Sequence, residues 1–327
     1  MKELTGDQIR IHTNATQIFE SWLEAERTFR HSYDCRLNWS GKPGKQYLYR
    51  ISGNIRKSLG ARSPETEKLQ SDYQAQRKRL RDRRSSLKRR LDELARVNKA
   101  YRLGRVPTEA AKIIRALDAQ GILEKSLTVV GTFSMFAYEA EAGVHLQDDI
   151  IATEDIDLLW DVRRRLRLIG DDWPGLLGVL RGIDKTFERE AKTFRASNNR
   201  GFMVDLIRPH DRDEMLSDLG GLGNENDLVA AAISGLDWLV AAPKFSSIAI
   251  DESGHPVRIA CIDPRAFALH KAWLSSRSEN REAKKRRRDL AQAKAAASIA
   301  RDYLSLGFTR KELAALPAEL RAMASIL

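Results

Sequence analysis

The chain has 327 residues, 42% of them hydrophobic, and a formal net charge of +11. That length predicts two to three folded units, and the apolar share excludes a disordered polymer. Two cysteines, Cys35 and Cys261, exclude a disulfide framework, and no apolar run approaches the ~20 residues that span a bilayer.

Residues 1–30 read as a helix, with Ile11, Ile18, Phe19, Trp22 and Leu23 recurring at helical spacing. The segment opens MKELTGDQIRIHTNATQ, without the apolar run of a signal peptide. Together with the unpaired cysteines this leads us to expect a soluble protein of the reducing cytoplasm. Short antiparallel strands follow in Arg36 to Gly60, around turn signals at Gly41-Lys42-Pro43-Gly44 and Ser52-Gly53-Asn54. Lys and Arg interleave there with Trp39, Tyr47 and Tyr49. That mixture suits charge plus base stacking on a nucleic acid, or simply a solvated basic face.

Ser63-Pro64-Glu65 is a helix start: a cap, a proline in the first turn and an acid. The helix is expected to run to about Leu103. Tyr73, Leu80, Leu87, Leu94 and Tyr101 repeat every seven residues, while the second seam holds Arg77, Arg84, Leu91 and Asn98 and reads as mostly polar. From Arg77 to Arg105 there are thirteen Lys or Arg against Asp82, Asp92 and Glu93. This segment holds nearly all the excess charge, which suits a polyanionic partner such as RNA or equally a solvated long helix.

Gly104 and Pro107 break that helix, and residues 108–121 form a short one. Strand and helix then alternate. Leu127 to Val130 is a strand, Phe133 to Ala142 a helix closed by Gly143, and Ile156 to Trp160 and Gly201 to Arg208 are strands. Phe245–Asp251 and Val257–Ile262 form a hairpin turning at Ser253-Gly254. Asp263-Pro264 caps a last helical region, Ala266 to Leu327.

Two carboxylates, Asp155 and Asp157, enter the strand ATEDIDLLWD. Residues i and i+2 of a strand share a face, so both acids project together while Ile156 and Leu158 face a core. Adjacent carboxylates repel, and partial burial worsens this. A divalent cation between them relieves it, and Mg²⁺ is commonly held by one or two carboxylates plus substrate phosphates. Asp205 has the same character, inside the apolar run Phe202 to Ile207 of a central strand. Three such acids on neighbouring strands are what two-metal phosphoryl or nucleotidyl transfer requires. Upstream, a strand ends at Val130, Gly131 permits a sharp turn and Thr132 opens a helix, an arrangement that holds phosphate. Other readings stay open. Asp155 is placed to cap the following segment, Asp157 to pair with one of Arg163 to Arg165, and Asp205 to pair with Arg208 or Arg212.

Gly131-Thr132, Asp155-Ile156-Asp157 and Val204-Asp205-Leu206, in that order, resemble the motifs of the DNA-polymerase-β-like nucleotidyltransferase superfamily. The wording GTFSMFAYEAEAGV…ATEDIDLLWD, GFMVDLIRP and DPRAFALHKAWLS looks closer still to a bacterial branch of stand-alone nucleotidyltransferase-fold proteins. Abortive-infection nucleotidyltransferase toxins are more distant relatives. The resemblance covers about Leu127 to Leu290. It implies that Asp155, Asp157 and Asp205 bind two Mg²⁺ ions, with Mn²⁺ as a substitute. It also implies that Asp205 accepts the proton of the attacking hydroxyl, and that Gly131 and Thr132 cradle the triphosphate of an NTP such as ATP. Thr132 departs from the usual Ser, and 24 residues separate Gly131 from Asp155, more than is usual. The insert, about Gly143 to Thr153, reads as a loop over the site. Its His145, Asp148 and Asp149 read as surface rather than a metal cluster. Lys271 is either the basic residue that the superfamily brings near the triphosphate or the wet edge of its helix. Lys284 to Arg288 reads as a solvated helix face, Asp161 as a turn acid, and both cysteines as buried.

The expected fold is α+β: a nucleotidyltransferase-fold mixed sheet flanked by helices, with an N-terminal helical and hairpin region, a long basic helix and a C-terminal helical region. The expected organisation is 1–64 for the N-terminal helix and hairpin region, 65–103 for the basic helix, 104–245 for the catalytic core and 246–327 for the hairpin and C-terminal helices. The functional expectation is a Mg²⁺-dependent enzyme that moves an NMP from an NTP onto a hydroxyl of an RNA, tRNA included, or of a protein. The alternatives are an inactive nucleotide or RNA binder, and a toxin or defence component held by a partner protein.

Overall fold

The computed structural model describes residues 1–123, 125–162, 173–210, 225–277 and 281–327. By its contacts the chain divides into two units, Arg10–Ala100, and Met1–Ile9 with Tyr101–Leu327.

The smaller unit is built from all but the first turn of α1 (Gly6–Tyr33), an antiparallel three-stranded meander of β1 (Arg36–Lys42), β2 (Lys45–Ser52) and β3 (Ile55–Ala61), and the long α2 (Pro64–Ala100). Ser63 opens α2 through a reciprocal cap, with its Oγ accepting from the Thr66 amide at 3.3 Å and its amide donating to Thr66 Oγ1 at 2.9 Å. Arg77 Nε donates to the Tyr33 carbonyl at 2.9 Å and Arg84 Nε to Glu26 at 2.7 Å, pairings that run α1 and α2 antiparallel. The heptad residues Tyr73, Leu80, Leu87 and Leu94 are turned inward. The second seam, expected to be polar, is turned inward as well: Leu91 and Asn98 are buried, and the Arg84 guanidinium lies 4.2 Å from the centre of the Phe29 ring. Arginine packs at this seam because its flat guanidinium stacks on an aromatic face while its edge bonds a carboxylate.

The larger unit carries a mixed sheet of β4 (Leu127–Val130), β6 (Asp155–Trp160), β7 (Glu188–Arg189), β8 (Arg195–Ser197), β9 (Met203–Pro209) and β10 (Ala231–Ile233). Across the sheet the order is β4–β6–β9–β8–β7, and β10 lies parallel to the far half of β9. A separate short pair joins Lys2–Glu3 to β5 (Val144–His145). β6 and β9 are parallel, and β4 and β8 run antiparallel to them. β9 is thus central, as its two apolar faces require. The mixed sheet and flanking helices make the fold α+β, as expected.

A hairpin of β11 (Lys244–Ile250) and β12 (Pro256–Ile262) lies against β4, and α3 (Thr108–Ala119) and α4 (Ser134–Ala142) pack on that hairpin. Tyr138 of α4 is fully buried, meets Phe245 and Phe267 edge-on, and donates its hydroxyl to the Ile262 carbonyl at 2.8 Å. The insert after Gly143 holds a one-turn α5 (Asp148–Ile151) rather than loop alone. α6 (Gly175–Ile183) packs on α3. Asp263 caps α8 (Pro264–Ser276) by accepting from the Arg265 amide at 2.8 Å. α8 packs on α9 (Ala283–Ser298) and on the short α7 (Asp237–Ala241). Among the described residues no helix is long and apolar enough to cross a membrane.

Candidate active site

β6 presents Asp155 and Asp157 on one face, while Ile156 and Leu158 are fully buried on the other. The parallel register places Asp205 of β9 directly across from Asp157, and Val130, the last residue of β4, pairs Asp157 on its other side. One carboxylate oxygen from each of Asp155, Asp157 and Asp205 lies within 4.8 Å of the others, and this is the one such group of potential metal ligands among the described residues. Burial, then Asp155, then Asp205 push the Asp157 carboxyl up from its ordinary 3.8 to about 7, against weaker pulls from Lys271 and Arg195. Three convergent oxygen donors whose mutual repulsion the nearby cations only partly offset fit a hard divalent cation.

Gly131 follows β4 at φ +66°, and a Cβ there would overlap the Asp157 carboxylate. Only glycine allows both the left-handed turn and that close approach. Gly131–Phe133 then form a single tight turn of 3₁₀ helix before α4, so Thr132 lies on that turn and not on α4 itself. The Thr132 hydroxyl accepts two bonds, from Arg288 Nη2 and Gln292 Nε2, both at 3.1 Å.

Asp205 is not left to a cation alone. Arg195, its cross-strand partner on β8, grips it in a two-pronged pair, Nε to Oδ1 and Nη2 to Oδ2, both 2.6 Å. This replaces the expected pairing with Arg208, while Arg163 to Arg165 and Arg212, the other expected partners, lie outside the described residues. Asp155 accepts from Thr153 Oγ1, a local bond that faces back along the chain rather than capping the residues after the strand.

Lys271 of α8 pairs with Asp289 of α9 at 2.9 Å, and Arg281 bonds the other oxygen of that buried carboxylate. Lys271 therefore has a structural partner, though its field still reaches Asp157. Lys284 to Arg288 is not solvated throughout: Lys284, Lys285 and Arg287 are exposed, but Arg288 turns in to Thr132 and to the Ala152 carbonyl. Asp148 is held by Arg105 at 2.8 Å, which accounts for that acid without a metal. Both cysteines are buried and unpaired with each other, and burial pushes the Cys261 thiol well up.

Sequence reasoning misses Arg195, Arg288 and Gln292. Arg288 carries a signal, as part of a basic run downstream of the motifs. Arg195 carries none, since its role depends on strand register.

A family described as Nucleotidyltransferase matches residues 108–316, well over half the chain. The chain belongs to that family: it is a transferase, and its general reaction is transfer of a nucleoside monophosphate. No curated protein and no solved structure matches it.

Proposed function

We propose that the protein moves a nucleoside monophosphate from an NTP onto a hydroxyl of an RNA, with Asp155, Asp157 and Asp205 as the reaction centre. The convergence of these three carboxylates beside the Gly131–Thr132 turn is the observation that carries the reading. The acceptor oxygen forms a bond to the α-phosphorus, the bond from that phosphorus to the oxygen bridging the β-phosphate breaks, and pyrophosphate leaves with the electron pair. The hydroxyl proton passes to a carboxylate, assigned to Asp205, which Arg195 holds in a fixed orientation. Asp155, Asp157 and Asp205 would hold divalent cations, Mg²⁺ or Mn²⁺, which when bound supply positive charge against the phosphates. The Gly131–Thr132 turn receives the triphosphate.

The RNA acceptor rests on α2. Lys78, Arg79, Arg81, Arg83, Lys88, Arg89, Arg90, Arg96 and Lys99 are exposed along it, whereas Arg77 and Arg84 serve the packing on α1. Base stacking on the meander has less support. Arg56 already covers Tyr49 at 3.7 Å, and Trp39 lies under Arg62 with its indole N–H bonded to Gln70. The contact is therefore chiefly to phosphates, and binding weakens steeply with salt.

The test is incubation with each α-labelled NTP, Mg²⁺ and total RNA or lysate. Label in nuclease-sensitive material, lost in Asp155→Ala and Asp157→Ala, supports the proposal. Label in protease-sensitive material replaces RNA by a protein acceptor. Absence of transfer with RNA binding intact in both variants leaves a binder. Growth arrest on expression, relieved by Asp155→Ala, marks a toxin.

A further inference from the structure

The Thr132 hydroxyl has more structure around it than a phosphate-binding turn needs. A hydroxyl has one proton to donate and two lone pairs to accept with. Arg288 Nη2 and Gln292 Nε2 can only donate, and each bonds Thr132 Oγ1 at 3.1 Å. Both lone pairs are therefore taken, and the Thr132 proton must point away from α9. The same two side chains also reach the segment entering β6: Gln292 Nε2 donates to the Ile150 carbonyl at 2.8 Å and Arg288 Nη2 to the Ala152 carbonyl. They thus tie the turn at the end of β4 to the approach of Asp155 and Asp157. Gln292 is fully buried, so its amide is fixed by packing rather than by solvent.

We propose that Gln292 and Arg288 of α9 are positioning residues that restrict the Thr132 hydroxyl to donating. They thereby set how tightly the site grips an acceptor-only ligand, the oxygens of a triphosphate. This rests on the nucleotidyl-transfer reading. A threonine free to rotate would spend part of its time offering a lone pair to the phosphate, which repels it. Two fixed donors remove that orientation. The methyl of Thr132 adds to this by restricting χ1.

The probe is inorganic tripolyphosphate with Mg²⁺, which carries the shared part of every NTP, measured by calorimetry on the full chain beside the four NTPs. Thr132→Ser keeps affinity within about twofold, and Thr132→Val loses on the order of tenfold, the scale of a hydrogen bond to a charged group. Gln292 Oε1 has no hydrogen-bond partner among the described residues, so Gln292→Met removes only the two Nε2 bonds. It is expected to weaken tripolyphosphate binding roughly three- to tenfold, and to have no further effect in the Thr132→Val background, because there is no hydroxyl left to orient. Arg288→Met, at a less buried position, also removes a donor to Thr132 and gives the same pattern if Gln292→Met fails to fold. A purely structural role lowers the melting temperature but leaves affinity unchanged, and that result overturns the inference. So does an effect that persists undiminished in the Thr132→Val background. If the wild type binds neither tripolyphosphate nor any NTP, the nucleotidyl-transfer reading itself fails, and the inference with it. Binding that depends on Asp155 yet ignores Gln292 and Arg288 sinks the inference alone.

Discussion

Gly131 is placed where a backbone turn and a carboxylate compete for the same space. Gly143 offers the control: its φ is +65°, like the +66° of Gly131, but a Cβ there meets nothing within 4 Å. Gly143→Ala is expected to lose about 1 kcal/mol, the penalty of a left-handed alanine, and to keep activity. Gly131→Ala is expected to lose more, because Asp157 must move, and to lower nucleotidyl transfer by about tenfold or more. Denaturant melts and labelled-NTP assays on the pair separate the two. Asp157 itself carries the repulsion of the cluster. Its carboxyl is raised from 3.8 to about 7, so the fold favours the protonated form. Stability is then unaffected below about pH 4, falls as pH rises through roughly 4 to 7, and stays at its lower value above. Asp157→Asn removes that loss. The metal-free variant is expected to melt several degrees above wild type at about pH 8 and at the same temperature near pH 4. Arg195 acts in the opposite sense. Its side chain is 22% exposed and that of Asp205 9%, so Arg195→Met strands a nearly buried charge. The expected loss is about 3 kcal/mol without metal, and Mn²⁺ should raise the melting temperature of this variant by more than it raises wild type.

At the scale of elements, β6 and β9 are readable because each carries its own pattern: alternating acids in DIDLLW, and a two-faced apolar run with one acid in FMVDLI. Their register is not readable. That Asp205 falls opposite Asp157, and Arg195 opposite Asp205, depends on hydrogen-bond pairing between segments that are not neighbours in sequence. β8 is only three residues long and shows no alternation, so its arginine resembles any surface cation. The basic run of α9 reads as solvated for a related reason. Only Arg288 and Gln292, four apart on one face of the helix, turn towards Thr132, and nothing local marks them. α2 is legible in extent because its cap and heptad are local signals. Its arginine-bearing seam is not, because guanidinium stacking on Phe29 is a tertiary fact. The exposed face of α2 carries its own prediction. Lys88→Gln with Arg89→Gln should leave the melting temperature unchanged and reduce the slope of log affinity for RNA against log salt by about 1.5, two phosphate contacts on a single strand.

For the molecule as a whole, the family match at residues 108–316 falls within the unit that contains the three acids, the Gly131–Thr132 turn and α9. The unit formed by Arg10–Ala100 lies outside that match, and contains the whole of α2 with its exposed positive charge. Chemistry and polyanion capture thus divide between the two in our reading. The most direct test compares one NTP labelled at the α-phosphate with the same NTP labelled at the γ-phosphate, incubated with Mg²⁺, RNA and either wild type or Asp157→Asn. We expect α-label to join the acceptor, γ-label to leave in pyrophosphate, and Asp157→Asn to abolish the transfer. Transfer of γ-label to the acceptor, or α-label transfer that survives in Asp157→Asn, would refute nucleotidyl transfer at the three acids.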